Sequence, residues 1–262
     1  MTAGKRSGKE DKPRDVVGSI AHGLNVIKAF DAEHPQMTLS QVAERTGMTR
    51  AGARRYLLTL THLGYVYHED RLFRLSPKVM ELGYSYLSSV PLSTIAQPYL
   101  QSLRDETGET VALAVLDDGF VVHIARANSR KLMAPTLTIG RRFPAVYTST
   151  GRVLTAMKSD REIKELIRQS AASPPTHLSL TSESELRETL KKVRRDKYAV
   201  VDQETEVGVR TLAVPIFNRS GEAVAAMNIL TNIATVTKQY LIRTCLPLLK
   251  AAADDIQRAL VD

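Results

Sequence analysis

The first apolar pattern of the chain has helical spacing. Between residues 19 and 30, large apolar side chains recur every three or four positions, at Ile20, Leu24, Ile27 and Phe30. This period predicts an amphipathic helix. Two further helical segments follow before residue 64, so the beginning of the chain predicts a unit of three helices.

The second and third helices carry start and stop signals. Thr38 followed by Gln41 is the pattern of a capping box, in which each side chain covers a backbone amide of the first turn. Gly47 ends the second helix, and Thr49 can cap a third helix that continues to Leu63. Two helices joined by so short a turn predict a helix-turn-helix.

A hairpin and a further helix follow this unit. Two short apolar segments, residues 65–67 and 72–75, flank a charged turn and predict two antiparallel strands. A Ser-Pro pair ending at Pro77 then opens another helix. We therefore predict a winged helix-turn-helix domain over residues 16–77 and a linker helix over residues 78–91.

The remaining residues, 92–262, alternate between helical and strand patterns. Helices are predicted at residues 93–107, 151–157, 160–169, 183–195 and 236–260, and strands at residues 110–116, 120–127, 198–202, 210–217 and 222–230. The strands occur as neighbouring pairs that suit antiparallel pairing. This arrangement indicates an α+β domain rather than a doubly wound parallel sheet.

The charge of the chain is concentrated near its beginning. The formal net charge is +8, and residues 1–78 carry 13 Lys and Arg against 8 Asp and Glu. Residues 1–15 are polar and contain little apolar material, which predicts a basic disordered tail. A basic helix-turn-helix indicates double-stranded DNA as the partner.

Composition also excludes several classes of protein. A single cysteine, Cys245, cannot form an intrachain disulfide or a cysteine-based metal cluster. No run of 18 apolar residues is present, and the charged beginning does not resemble a signal peptide. We expect a cytoplasmic protein that does not contact membranes, binds no metal and needs no cofactor.

Eight residues are candidates for DNA contact. An arginine can donate two hydrogen bonds to guanine, and Thr or a helix N-terminus can hold phosphate. The candidates are Gln41, Thr49, Arg50, Gly52, Arg54, Arg55, Arg71 and Arg74. Arg50 and Arg54 suit base contacts best, whereas Arg55 and Arg74 suit solvated surface charges equally well.

The larger region contains no catalytic motif, but it places polar residues in apolar surroundings. Thr148, Ser149 and Thr150 lead into a predicted helix, where hydroxyls and free amides together suit a carboxylate. Asn228 lies in an otherwise apolar strand, where it either bonds to backbone or lines a ligand cavity with Thr211.

Other polar residues of this region have plainer interpretations. The acidic segment 202–208 suits a solvated turn as well as a binding loop. His123 is expected to be structural or exposed, and Cys245 is expected to fill the core.

Several segments together resemble the IclR family of bacterial regulators. The first are LSQVAERTGMTRAGARRYLLTLTHLGYV and RLFRLSPKVMELGYSYL, and the later ones are FPAVYTSTGRVLTAM, YAVVDQETEVGVRTLAVPI and GEAVAAMNIL. They cover most of residues 16–260. The combination of TSTGRVL with DQETEVGVR is most similar to the subgroup that controls aromatic catabolism through the β-ketoadipate pathway.

The resemblance implies a GAF-like effector-binding domain, a homodimer or homotetramer, and palindromic or repeated operators. Carried onto this sequence, the effector contacts fall on Phe143, Ser149, Thr150, Val209, Thr211, Asn228 and Leu230. Thr148, whose hydroxyl precedes the same predicted helix, completes the set of candidate effector residues. The chain departs from the family's more usual His-Cys-Thr-Ala-x-Gly-Lys pattern at residues 147–152.

The leading hypothesis is a regulator whose grip on operator DNA changes when a small aromatic or dicarboxylic acid enters the larger domain. The linker helix would transmit this change. One alternative is a DNA-binding protein whose larger domain is an enzyme acting on a small acid. Another is a DNA-binding protein that senses no ligand. Whether such a regulator activates or represses depends on where its operator lies.

Overall fold

The computed structural model describes residues 17–89, 91–131, 134–135, 137–170 and 174–260. The chain divides into two compact units, the first ending at Ser85 and the second beginning at Tyr86. The predicted basic tail, residues 1–15, lies outside the described residues. The predicted domain limits at residues 77 and 91 stay predictions.

The first unit is a three-helix bundle with a small antiparallel sheet. Its elements are α1 (Gly18–Lys28), β1 (Gln36–Thr38), α2 (Leu39–Thr46), α3 (Arg50–His62), β2 (Val66–Glu69) and β3 (Leu72–Leu75). Strand β3 lies between β1 and β2. The sequence pattern did not predict β1, a three-residue strand that packs Met37 into the core.

The predicted caps of this unit are confirmed. Thr38 and Gln41 form both halves of the capping box at the start of α2, and the Thr49 hydroxyl accepts the amide of Gly52 at the start of α3. Gly47 ends α2 with φ at 66°, a conformation that favours glycine. The turn between α2 and α3 is therefore fixed by local chemistry.

The helix after the hairpin differs from the others in its burial. Pro77–Val79 form one 3₁₀ turn capped by Ser76, and α4 (Met80–Ser89) follows. None of the α4 residues is fully buried. Large apolar side chains on it are exposed, Met80 and Tyr84 by more than two thirds.

The second unit is built on one six-stranded antiparallel sheet. Its strands are β4 (Thr110–Asp117), β5 (Phe120–Ala127), β6 (Arg142–Pro144), β7 (Ala199–Asp202), β8 (Val209–Phe217) and β9 (Ala223–Asn232), in the order β6-β5-β4-β9-β8-β7. Its helices are α5 (Leu92–Thr107), α6 (Ser149–Ala156), α7 (Asp160–Ser170), α8 (Glu183–Asp196), α9 (Lys238–Tyr240) and α10 (Leu246–Ala259). The predicted α+β, GAF-like class is confirmed.

Two apolar layers cover the two faces of this sheet. Helices α5 and α10 pack on one face, against residues such as Leu113 and Met227. Helices α6 and α8 belong to the layer on the other face, which contains Ala114 and Ala226. Because both faces of the sheet are covered, the strand sequences are apolar at nearly every position.

Two details of this unit differ from the sequence prediction. The last predicted helix is interrupted by a π-helical turn, Leu241–Cys245, between α9 and α10. Ser182 followed by Glu185 is also the pattern of a capping box, but only the bond from the Glu185 amide to the Ser182 hydroxyl is present. Cys245 is buried as expected, and burial raises the pKa of its thiol to about 11. Within the described residues, no helix combines the length and apolar character needed to cross a membrane.

Candidate functional site

Three of the predicted DNA-contacting arginines line one groove of the first unit. Arg50 and Arg54 extend from α3, and Arg71 comes from the turn between β2 and β3. All three are exposed, and no ion pair involves them among the described residues. The groove therefore presents free guanidinium groups beside the start of a helix, where anions are favoured.

Two other predicted residues form caps but retain donors. Gln41 uses its side-chain oxygen to accept the Thr38 amide and hydroxyl, which leaves its NH₂ group for an outside acceptor. Thr49 accepts from Gly52, so its own hydroxyl proton is still available. An added Cβ at Gly52 would lie 3.2 Å from that hydroxyl oxygen, so glycine keeps the cap uncrowded.

The remaining two arginines have aromatic neighbours. The Arg55 guanidinium lies 5.3 Å from the centre of the Tyr56 ring. Arg74 lies 4.4 Å from the Tyr67 ring centre and forms a 2.8 Å ion pair with Glu69. Neither lines the groove. The DNA contacts of all eight residues stay predictions.

The second unit contains a cavity that opens to solvent and has an interior volume of about 50 Å³. All eight predicted effector residues line it: Phe143, Thr148, Ser149, Thr150, Val209, Thr211, Asn228 and Leu230. Five further residues line the cavity: Thr205 and Glu206, from the segment 202–208 that the sequence left open as a binding loop, and His123, Pro135 and Leu137, which no sequence pattern indicated. That an effector binds here stays a prediction.

Several polar atoms of this cavity are buried without a partner among the described residues. They are the hydroxyls of Ser149, Thr150 and Thr211, the side-chain oxygen of Asn228, and both ring nitrogens of His123. Thr148 differs, because its hydroxyl accepts the Gly151 amide as the cap of α6 and also contacts the Ala145 carbonyl. Buried polar groups are normally hydrogen-bonded, so these atoms indicate a polar ligand.

His123 lines the cavity, although its sequence pattern indicated no role there. It is only 3% exposed, and its ring stands edge-on to Phe143 with centroids 5.8 Å apart. Burial lowers its pKa from 6.5 to about 4, so the ring is neutral near pH 7. Of the two expected roles, structural or exposed, burial excludes exposure. Its position in an apolar strand was the available signal.

A buried ion pair holds the loop at the mouth of the cavity. Both nitrogens of the Arg152 guanidinium tip donate to Glu204, at 2.7 and 2.6 Å, and Arg152 also donates to the Val146 carbonyl. Glu204 accepts the Leu180 amide as well. The next residue, Thr205, donates to the Tyr147 carbonyl at 2.6 Å. The pair thus positions Thr205 and Glu206, which line the cavity.

Two family models match the chain. The IclR helix-turn-helix domain matches residues 19–70, and the C-terminal domain of the bacterial transcriptional regulator IclR matches residues 84–258. Together they span both units.

Similar proteins are found over nearly the whole length. The Pca regulon regulatory protein of Pseudomonas putida is 39% identical over 92% of this chain and 84% of its own. The p-hydroxybenzoate hydroxylase transcriptional activator of Acinetobacter baylyi is 36% identical over 96% of this chain and 94% of its own.

Solved structures of similar proteins also superpose on this chain. A transcriptional regulator from Rhodococcus sp. RHA1 superposes with a TM-score of 0.83, at 42% identity, over 94% of this chain and 98% of that one. A double mutant of the PobR inducer-binding domain from Acinetobacter, solved with 3-hydroxybenzoic acid, has a TM-score of 0.60 and 34% identity, covering 63% of this chain and 97% of its own.

Proposed function

Because the chain belongs to the IclR family of bacterial transcriptional regulators, we propose that its second unit binds a small aromatic monocarboxylic acid and that this binding changes its affinity for operator DNA. The observation that carries the proposal is the set of unpartnered polar atoms in the cavity. The sequence left aromatic and dicarboxylic acids open, and three features favour the aromatic monocarboxylic acid.

The first feature is a receptor for one carboxylate at the start of α6. The Ser149 and Thr150 hydroxyls are buried and unpartnered there, and both line the cavity. The first amides of a helix have no acceptor inside it, and the helix dipole favours a negative charge at this end. A carboxylate would accept from the hydroxyls and amides together.

The second feature is the character of the other walls. The apolar side chains of Leu137, Phe143, Val209 and Leu230 line the cavity. No lining residue that the structure describes carries a positive charge, and Glu206 adds a carboxylate. A second carboxylate on the ligand would therefore find no positive charge to pair with and would be repelled by Glu206, which costs free energy.

The third feature is the likeness to regulators of aromatic metabolism. One relative is named as the activator for p-hydroxybenzoate hydroxylase, and a similar domain was solved with 3-hydroxybenzoic acid. Titration of benzoate, 3-hydroxybenzoate, 4-hydroxybenzoate and β-ketoadipate, followed by measurement of operator affinity, tests the proposal. We expect that only the three aromatic acids change the operator affinity. If none of the four acids changes it, the sensing role is refuted.

We predict that Thr150→Val weakens binding of the aromatic acid by about 10-fold to 100-fold, because a hydrogen bond to a charged group contributes about 1.5–3 kcal/mol. Thr155→Val is the matched control. Both hydroxyls are buried and unpartnered in α6, but Thr155 does not line the cavity. Isothermal titration should show a loss of affinity for the aromatic acid in Thr150→Val but not in Thr155→Val. Equal effects of both substitutions would remove Thr150 from the carboxylate site.

We predict that Arg54→Ala weakens binding to the operator by about 1–3 kcal/mol. The ratio of operator affinity to the affinity for unrelated DNA should therefore fall. Arg55→Ala lies one residue further along the same helix but outside the groove. A contact to phosphate does not depend on base sequence, so this substitution should weaken binding to the operator and to unrelated DNA equally. Fluorescence anisotropy with a duplex selected by the protein from random sequences measures both effects. An unchanged preference in Arg54→Ala would show that this residue does not read bases.

Assembly and location are also proposed. The exposed apolar side chains of α4, including Met80, Leu82, Tyr84 and Tyr86, suit burial against a second copy. We therefore propose a homodimer or homotetramer, which light scattering can measure. A regulator of bacterial operators acts where the chromosome lies, so we propose a cytoplasmic location.

Family membership favours regulation over catalysis by the second unit. We propose that the bound acid leaves unchanged. Recovery of the added acid after prolonged incubation, analysed by mass spectrometry, tests this point, and accumulation of a product would instead support the enzyme alternative.

A further inference from the structure

We propose that His123 recognises a ring hydroxyl of the bound acid, so that the cavity selects hydroxylated aromatic acids over the unsubstituted ring. This inference rests on the proposed function, because it concerns the same cavity. It adds a second polar group, besides the carboxylate, that the ligand must carry.

A β-bulge turns His123 toward the cavity. In β5, Ala125 pairs with Leu113 of β4, but His123 pairs with Ala114, so Ile124 is an extra residue. Strict alternation would place His123 on the same face as Ala125, which packs in the layer with α5 and α10. The extra residue reverses the alternation, and His123 lines the cavity on the other face.

His123 lies on a strand other than the two that α6 mainly covers. Helix α6, which begins with Ser149, packs mainly over β8 and β9. His123 lies on β5, and β4 separates it from β9. Two strand spacings, about 9–10 Å, separate β5 from β9, whose Asn228 also lines the cavity. The β4 residues between them, Ala112 and Ala114, are small.

The hydrogen-bonding capacity of His123 matches a hydroxyl rather than a carboxylate. Burial lowers its pKa to about 4, so near pH 7 one ring nitrogen donates and the other accepts. A phenolic hydroxyl also donates and accepts, whereas a carboxylate only accepts. Both nitrogens lack a partner among the described residues. An unsubstituted ring would leave them unsatisfied, which costs affinity.

Phe143 helps to define where the hydroxyl would lie. Its ring meets the His123 ring edge-on, and both line the cavity. This contact limits the rotation of the imidazole, so the direction of its free nitrogens is set before a ligand enters. Preorganised polar groups discriminate more strongly between ligands than flexible ones.

The test compares benzoate, 3-hydroxybenzoate and 4-hydroxybenzoate by isothermal titration of the full chain. The wild-type protein should bind at least one hydroxybenzoate about tenfold or more tightly than benzoate. His123→Phe should reduce this difference to less than about threefold, because it keeps an aromatic ring at this position but cannot hydrogen-bond to the ring hydroxyl. His123→Gln, which keeps a donor and an acceptor, should restore part of the difference.

Thermal unfolding of the ligand-free variants checks that they fold. His123→Phe removes two unsatisfied buried nitrogens, so its unfolding temperature should not fall. The inference is overturned if His123→Phe weakens benzoate and hydroxybenzoate equally, or if the difference persists. Equal wild-type affinity for all three acids would refute the hydroxyl role and retain the proposed function, whereas no binding of any acid would refute both.

Discussion

Replacing Glu204 by glutamine is expected to destabilise the second unit by about 3–5 kcal/mol, the usual cost of removing one partner from a buried ion pair. The Arg152 side chain is 3% exposed, and Glu204 supplies both oxygens that its guanidinium tip contacts. Without the carboxylate, a positive charge is left buried with a neutral partner. Urea unfolding followed by circular dichroism measures the loss.

A double-substitution cycle distinguishes this explanation from a general loss of packing. Arg152→Met should also destabilise the unit, but Arg152→Met with Glu204→Gln should cost less than the two single effects together, because no unpaired charge is left. We expect a coupling free energy of about 1–3 kcal/mol. Additive effects would show that the charges do not act as a pair.

The same substitution should impair effector binding. Thr205 and Glu206 follow Glu204 directly and line the cavity. Glutamine replaces one carboxylate oxygen by an NH₂ group, so the loop loses at least one of the hydrogen bonds that Glu204 accepts from Arg152 and the Leu180 amide. Titration of the aromatic acid at a temperature where the variant is still folded measures this effect. Unchanged affinity would mean that the loop holds its position without the pair.

The second large effect is expected at Gly151. A Cβ added there would lie 2.1 Å from the Ala145 carbonyl oxygen and 2.4 Å from the Ala145 Cα. These are backbone atoms in the turn that precedes α6, so they cannot rotate away as a side chain could. Overpacking of a core typically costs about 1–3 kcal/mol, and we expect Gly151→Ala to reach or exceed about 3 kcal/mol.

Gly23→Ala is the matched control for this prediction. Gly23 lies inside α1, and nothing is within 4 Å of its added Cβ. The substitution should stabilise α1 by about 0.5–1 kcal/mol, because alanine favours a helix interior. Differential scanning calorimetry should show a lowered unfolding temperature for Gly151→Ala but not for Gly23→Ala. A similar transition in both variants would mean that the turn before α6 can move aside.

The local features of this fold were predictable because neighbouring residues determine them. The caps at Thr38 and Thr49 and the hairpin turn near Asp118 depend on contacts within a few positions. The hydroxyls of Ser149 and Thr150 stood out for a similar reason, since they precede an apolar helix. Short-range chemistry of this kind can be read from one sequence.

The missed features depend on residues that are distant in the sequence or on backbone register. Arg152 and Glu204 are 52 positions apart, and the only hint was a single charge within the apolar segment 149–157. His123 was assigned no role in the cavity because alternation along β5 gives the opposite face, and the extra residue Ile124 carries no mark in the sequence. The register becomes visible only when β4 and β5 are paired.

The alanines of β4 have a consequence for the lifetime of the protein. Ala112 and Ala114 pair with Asn228 and His123, which line the cavity, and add only small side chains beside them. An acid bound there would complete the packing as a missing side chain would, and binding to the native state alone raises its stability. We therefore expect the regulator to resist proteolysis longer in cells that contain its effector.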